Sequence, residues 1–250
     1  MMYIYAMKQS IRMLQQKIWP LIPMPMGLKR AVWHKLFFKK ENFAYGRADN
    51  VFSKIYADNF WLSKESRSGG GSLISTTKTI RKKLPELWER YGVKTFLDLP
   101  CGDYNWMKEV DKSGVAYIGG DIVEEAIERN NEKYAGESVS FRVINITKDA
   151  LPAVDMIFCK DCLQHLSYES IFRALKNFKR SGSRYLLTTS YSKTLYNWDI
   201  LDGDCRPLNL LKKPFGLPKP LEVISEKSRG VQVDSDKDMY LYNLEDIGEF

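Results

Sequence analysis

Five short apolar runs, "TFLDL", "AYIGG", "VSFRVI", "DMIFC" and "YLLTT", recur between residues 95 and 189, with stretches of ten residues or more between them. Runs this short and this continuous suit strands buried on both faces of a sheet. Parallel strands joined by right-handed crossovers give a doubly wound α/β sheet. The spacing predicts helices over Val123–Tyr134 and Ser167–Arg180, the second with Ile171, Leu175 and Phe178 inward and Gly182 at its end. A further helix precedes the first run, with Ile80, Leu84, Leu87, Trp88 and Tyr91 on its apolar face. Pro85 is expected to kink that helix or delay its start, and Gly92 to stop it. Two later segments, "PLEVIS" and "DMYLYNL", read as an antiparallel hairpin at the sheet edge, for seven strands in all.

The strand ends carry the chemistry, because ligands of such sheets sit beyond the carboxyl ends of the strands. The first strand breaks into "DLPCGDYNW", whose Gly102 allows close backbone approach. Asp98 and Asp103 offer carboxylates to a cationic group or to the loop's own amides. Asp121 ends the second strand, 19 residues after Gly102, where a carboxylate accepts both hydroxyls of a ribose. Asn145 ends the third, placed to meet an adenine edge, with Ile146 against the base. Each acid alone reads equally as a helix cap. A dinucleotide site would carry G-x-G-x-x-G to seat its pyrophosphate on a helix N-terminus, and that pattern is absent. Acids in its place repel phosphate and favour a nucleoside bearing an ammonium or sulfonium. S-adenosylmethionine has that charge layout.

Charge divides the chain unevenly. Residues 1–40 hold eight Lys and Arg and no acid, whereas the other residues carry 30 basic and 31 acidic side chains. The basicity belongs to an extension over residues 1–60, ahead of a domain over 61–250, and no general nucleic-acid surface is implied. In the extension Ile4, Met7, Ile11, Leu14 and Ile18 mark an amphipathic helix stopped by Pro20, Pro23 and Pro25. It reads as contact with an anionic membrane surface or a protein partner, or as a helix folded back on the domain. The apolar stretch is too broken by proline to span a bilayer. Cys159 and Cys162 form a single CxxC with no second pair, so no metal site is expected. Four cysteines without a disulfide framework suit a reducing, cytoplasmic compartment, peripheral to the membrane's inner face if the arm binds lipid.

The segments "FLDLPCGDYNWM", "YIGGDIVEEAIERN", "VINITKDALPAVDMIFCKDCLQHLS" and "RYLLTTSY" together resemble a class I S-adenosylmethionine-dependent methyltransferase over residues 60–245. With "ESRSGGGS" and "DGDCRPLNL" added, the chain is similar to a bacterial subgroup of unassigned substrate that often accompanies glycan-assembly genes. The resemblance implies a Rossmann-like methyltransferase fold and a small-molecule or glycan-linked acceptor. It implies that Asp98, Cys101, Gly102 and Asp103 line the methionine end of the cofactor. It gives Asp121 to the ribose, Ile122 to the adenine face, and Asn145 and Ile146 to the adenine edge. The chain departs from the family at Pro100 and Tyr104, where glycines are common, and at Asn145, often Asp; the exchange at Asn145 keeps an acceptor.

Methyl transfer needs a base only where the acceptor must lose a proton. "CKDCLQHL" supplies His165 as the candidate base, against a packed histidine bonded to a backbone carbonyl. Asp161 is the candidate to hold the cofactor's amino group or orient a hydroxyl, and Lys160 is expected to face solvent. The "SRSGGGS" segment, with Arg67, Ser68 and Gly69, reads either as a wall that cradles an anion or as a flexible linker. Asp202, Asp204 and Arg206 read as sugar-recognising groups or as an ordinary turn. Trp106, Tyr191, Tyr196 and Trp198 are candidates to stack on a ring, or core and lid packing. Methylation of a nucleic acid is a further alternative that only the basic arm favours, since no Asn-Pro-Pro-Tyr-type motif follows the fourth strand. A non-catalytic protein that keeps the fold is the alternative from another class.

Overall fold

The computed structural model describes residues 24–37, 50–226 and 236–249. The helix expected over residues 4–18 lies outside them. Seven strands form one sheet: β1 (Thr95–Asp98), β2 (Ala116–Asp121), β3 (Val139–Val143), β4 (Met156–Cys159), β5 (Tyr185–Tyr191), β6 (Glu222–Ser225) and β7 (Lys237–Asn243). Their order is β3-β2-β1-β4-β5-β7-β6. The first five run parallel, and β7 lies antiparallel to both β5 and β6. The order reverses between β1 and β4, which opens a crevice above their carboxyl ends.

The sheet is covered on both faces, as its alternation shows. Leu97, Ile157, Cys159, Leu186, Tyr240 and Tyr242 point into one core with Ile171, Leu175 and Phe178 of α5 (Tyr168–Arg180). Phe96, Met156, Phe158, Leu187, Met239 and Leu241 point into the other. There they meet Ile80, Leu84, Leu87 and Trp88 of α3 (Lys78–Tyr91) and Ile127 of α4 (Glu124–Tyr134). Each large apolar side chain so buried contributes roughly 1.5–3 kcal/mol.

Several boundaries differ from the expectation for local reasons. The helix α3 begins at Lys78, so Pro85 sits inside it and does not delay its start. Gly92 ends it in the left-handed region at φ 63°. Strand β5 runs two residues past Thr189, because β7 pairs with it as far as Tyr191 opposite Lys237. Two helices before residue 60 were not expected from the sequence: α1 (Met26–Phe37) and α2 (Val51–Ala57). Arg30 of α1 joins Asp236 through two hydrogen bonds at 2.8 and 2.9 Å, tying this part of the extension to the domain.

Candidate active site

The loop after β1 is held from both sides. The amide of Cys101 bonds the Gly120 carbonyl at 2.8 Å, and Asn130 of α4 donates to the Gly102 carbonyl at 2.8 Å. Gly102 takes φ 55°, and a Cβ there would meet Ser68 Oγ at 2.2 Å. This position needs glycine for its angle and for its space. Tyr104 adopts φ 56° although it is not glycine. Its ring packs 5.0–5.2 Å from Phe141, Tyr117 and Tyr134, and that burial offsets a backbone cost of about 1–2 kcal/mol. The loop thus follows its turn with a tyrosine in the family's glycine position.

The first three strand tips meet on one cavity of about 560 Å3, lined by Asp98, Cys101, Gly102, Asp121, Ile122, Asn145 and Ile146. Asp98 is buried and accepts a 2.7 Å hydrogen bond from the Tyr117 hydroxyl. Burial lifts its pKa to about 7, against the pull of Tyr117, and the neighbouring Asp121 charge adds to the rise. Asp121 accepts from the amides of Gly102 at 2.9 Å and Val123 at 3.0 Å. Burial raises its pKa too, while those amides favour its ionised form. Asn145 differs from the expectation. Its side-chain oxygen already accepts from the amide and hydroxyl of Thr147, at 2.9 and 2.8 Å. What it retains for a ligand is chiefly its NH2 donor, not an acceptor.

Asp103 does not line the cavity. It latches the upstream segment instead, accepting from Ser66 Oγ at 2.9 Å and the Arg67 amide at 2.8 Å. The "SRSGGGS" segment is therefore docked on the loop and is no free linker. Arg67 and Ser68 line the cavity, whereas Gly69 turns away against Trp61 at φ 92°.

The tip of β4 carries the largest correction. Lys160 is buried, not solvated: its ammonium bonds Asp161 and the Gly71 carbonyl, the latter at 2.9 Å. Lys237 reaches both Asp161 oxygens at 3.0 Å, and Glu226 lies 3.6 Å from each lysine. Burial alone would raise the Asp161 pKa, but Lys160 and Lys237 hold it well below the usual carboxylate range. Gly71 leaves room for this carboxylate, since a Cβ there would meet Asp161 Oδ2 at 2.4 Å.

His165 lines the same cavity, with its ring 5.0 Å from that of Trp61. Its Nδ1 lies 2.8 Å from the Asp204 carbonyl oxygen. A carbonyl only accepts, so Nδ1 carries the proton and a neutral ring keeps its lone pair on Nε2. Arg206 belongs beneath this residue, not in the cavity. Only 1% exposed, it donates to the Gln164 carbonyl at 2.9 Å and stacks over Tyr168. A sugar cannot reach it there. Asp202 lines the cavity but is engaged by the Ser167 amide and the Ser170 hydroxyl, at 2.6 and 2.7 Å. Of the four candidate stacking rings, Trp106 lines the cavity. Tyr196 and Trp198 meet His34 of α1, and Tyr191 lies under Arg30.

Sequence reasoning missed one wall altogether. Val51, Phe52, Ile55 and Tyr56 of α2 close the cavity from the extension's side of residue 60, beside Trp61 just after it. Tyr117 and Asn130 were also missed, since a strand tyrosine and a helix asparagine give no pattern of their own. Cys101, Cys159 and Cys162 are buried free thiols, and burial pushes that of Cys101 up. Among the described residues no cluster of His, Cys, Asp and Glu is placed to hold a metal ion.

Residues 96–182 match the family model described as a methyltransferase domain. No curated protein matches the chain by sequence. Among solved structures, the chain is similar to human N-acetylserotonin methyltransferase in complex with SAM. The identity is 12%, the coverage 86% of this chain and 67% of that one, and the TM-score 0.58. It is also similar to the N-methyltransferase NodS of Bradyrhizobium japonicum in complex with S-adenosyl-l-homocysteine, at 14% identity, 78% and 98% coverage and a TM-score of 0.57. Likeness at these identities shows a shared fold, the seven-stranded Rossmann-like methyltransferase fold.

Proposed function

We propose that the protein transfers a methyl group from S-adenosylmethionine to a hydroxyl oxygen of a small polar or glycan-linked acceptor. The observation that carries the reading is the convergence of Asp98, Asp121, Asn145 and His165 on one cavity of about 560 Å3. The residues fit the cofactor's charge layout. A buried carboxylate whose ionisation is held back suits a site completed by a cation. Asp121 has lone pairs beyond those its amide partners use, as hydroxyl donors of a ribose require. Ile122 and Ile146 supply apolar faces for a base. Arg67 is the cation on this wall for a carboxylate. The bound cofactor would supply an electrophilic methyl on a sulfonium with a neutral leaving group.

The chain's own part is binding, orientation and proton removal. Asp161 is pinned by two lysines, so its oxygens are fixed in direction and stay ionised. That favours orientation of an acceptor hydroxyl over proton uptake. His165 keeps Nε2 as its basic atom, because the Asp204 carbonyl fixes the tautomer. An alcohol acceptor would pass its proton to Nε2 as the new carbon–oxygen bond forms. Val51, Phe52 and Ile55 of α2, with Trp61 and Trp106, line the cavity with apolar surface that would limit water around a bound cofactor.

The glycan-linked half of the reading rests on the sequence resemblance. The test is release of S-adenosylhomocysteine in the presence of a panel of hydroxylated sugars, nucleotide sugars and small alcohols. A saturable signal with one of them supports the reading. Turnover only with amines or with nucleic acid would replace the acceptor class. No turnover with any acceptor, despite cofactor binding, would favour a non-catalytic binding protein.

A further inference from the structure

Helix α1 is amphipathic in the reverse sense. The side it turns to the domain is polar. Gly27 lies on the Lys193 carbonyl, Arg30 bonds Asp236, and His34 stacks on Trp198 with ring centroids 4.5 Å apart. These positions fall at i, i+3 and i+7, along one helix face. Leu28, Val32 and Leu36 fall at i, i+4 and i+8, on another face. Leu28 is 44% exposed and Leu36 65%. Lys35 is exposed beside them, and the exposed Leu195 stands next to Gly27. A surface helix normally turns its apolar stripe to the core and its charges outward. Here the buried Arg30–Asp236 pair fixes the opposite orientation.

The charge around this ridge narrows what covers it. The first 40 residues carry eight cations and no acid, while the remainder is nearly neutral. Leucines flanked by lysines, in a segment without one carboxylate, complement acyl chains beneath anionic headgroups. A nucleic acid would use the cations and leave the leucines wet. A second copy of the segment would set like charges against each other. We propose that α1 docks flat on an anionic lipid surface through Leu28, Val32 and Leu36, with the domain held above it by Arg30. This inference does not depend on the acceptor or on the catalytic roles.

The test is sedimentation of the full chain with large vesicles of phosphatidylcholine alone, and of phosphatidylcholine with phosphatidylglycerol. Retention on the anionic vesicles, falling as salt rises, is the expected result. Leu28→Gln with Leu36→Gln should lower that retention by about tenfold or more, without shifting the melting temperature. Leu36→Gln alone, at the more exposed site, should lower it in the same direction. The proposal is overturned by equal retention on neutral and anionic vesicles, by undiminished retention of the double variant, or by a wild-type dimer in light scattering that the double variant dissociates. The last would assign the ridge to a second copy. Salt-sensitive RNA binding with no vesicle retention would assign the cations elsewhere and also overturn it.

Discussion

The Nδ1 atom of His165 lies 2.8 Å from the main-chain oxygen of Asp204, and the same loop grips the turn that carries the histidine. Gly203 N donates to the His165 carbonyl at 2.7 Å, and Arg206 donates to the Gln164 carbonyl through both its amide and its guanidinium. The "DGDCRP" loop therefore sets both the tautomer and the position of the ring. It acts under the site and not as a sugar clamp.

His165→Gln should lower kcat by about 10²–10⁴ and leave cofactor affinity within a few-fold, if Nε2 removes a proton in the transition state. Steady-state kinetics with a calorimetric Kd separates the two. Unchanged turnover would return His165 to a packing role. Arg206→Lys, which cannot fork as the guanidinium does, should lower kcat and shift its pH profile through the displaced ring.

Asp98 gives a pH dependence with a definite sign. Its pKa is lifted to about 7, above the ordinary 3.8, so the ligand-free protein holds a proton there that the unfolded chain has lost. Stability contributed by this group falls as pH rises from about 4 to about 7 and then levels off. Cofactor binding runs the other way, since an adjacent cation favours the ionised form. Affinity should therefore climb by up to about tenfold per pH unit below 7, with proton release on binding. Calorimetry in buffers of different ionisation enthalpy measures that proton. Asp98→Asn should abolish its release; an unchanged release would remove Asp98 from the cation's site.

The lysine pair at the tip of β4 makes a stability prediction. Lys160→Met leaves Asp161 one lysine short and unpairs Glu226 on one side. Removing one partner of a buried ionic group costs about 3–5 kcal/mol. The midpoint of chemical denaturation should fall accordingly at neutral pH. A change under about 1 kcal/mol would mean that Lys160 is effectively solvated, as its sequence context suggested.

The doubly wound sheet and the ligand-side placement of Asp98, Asp121 and Asn145 were legible because both follow from short, continuous apolar runs and from where those runs end. Asp161 and His165 reach the same cavity because they follow the end of the fourth strand, whereas Arg67 and Ser68 precede the first strand and their place there was only one of two readings of their segment. Partnerships across long sequence separation were not legible. Asp103 looked like a ligand residue and is a latch for Ser66 and Arg67, 37 and 36 residues away. Lys160 looked solvated because two of its partners, the Gly71 carbonyl 89 residues away and Glu226, are distant in sequence. Arg206 looked available because an arginine in an Asp–Gly turn is usually exposed. Helix α1 was not expected because its apolar stripe is short and follows a proline-rich run, and what seats it on the domain is the distant pair Arg30–Asp236, 206 residues apart.

A sulfonium nucleoside over the tips of β1, β2 and β3 would have its ribose held by Asp121. Calorimetric titration of S-adenosylmethionine into the wild type and Asp121→Ala tests it most directly. Saturable binding to the wild type is expected, with a loss of about ten- to hundredfold in the variant and an intact melting transition. Equal affinity in the two proteins, or preference of the wild type for a nicotinamide dinucleotide, would contradict it.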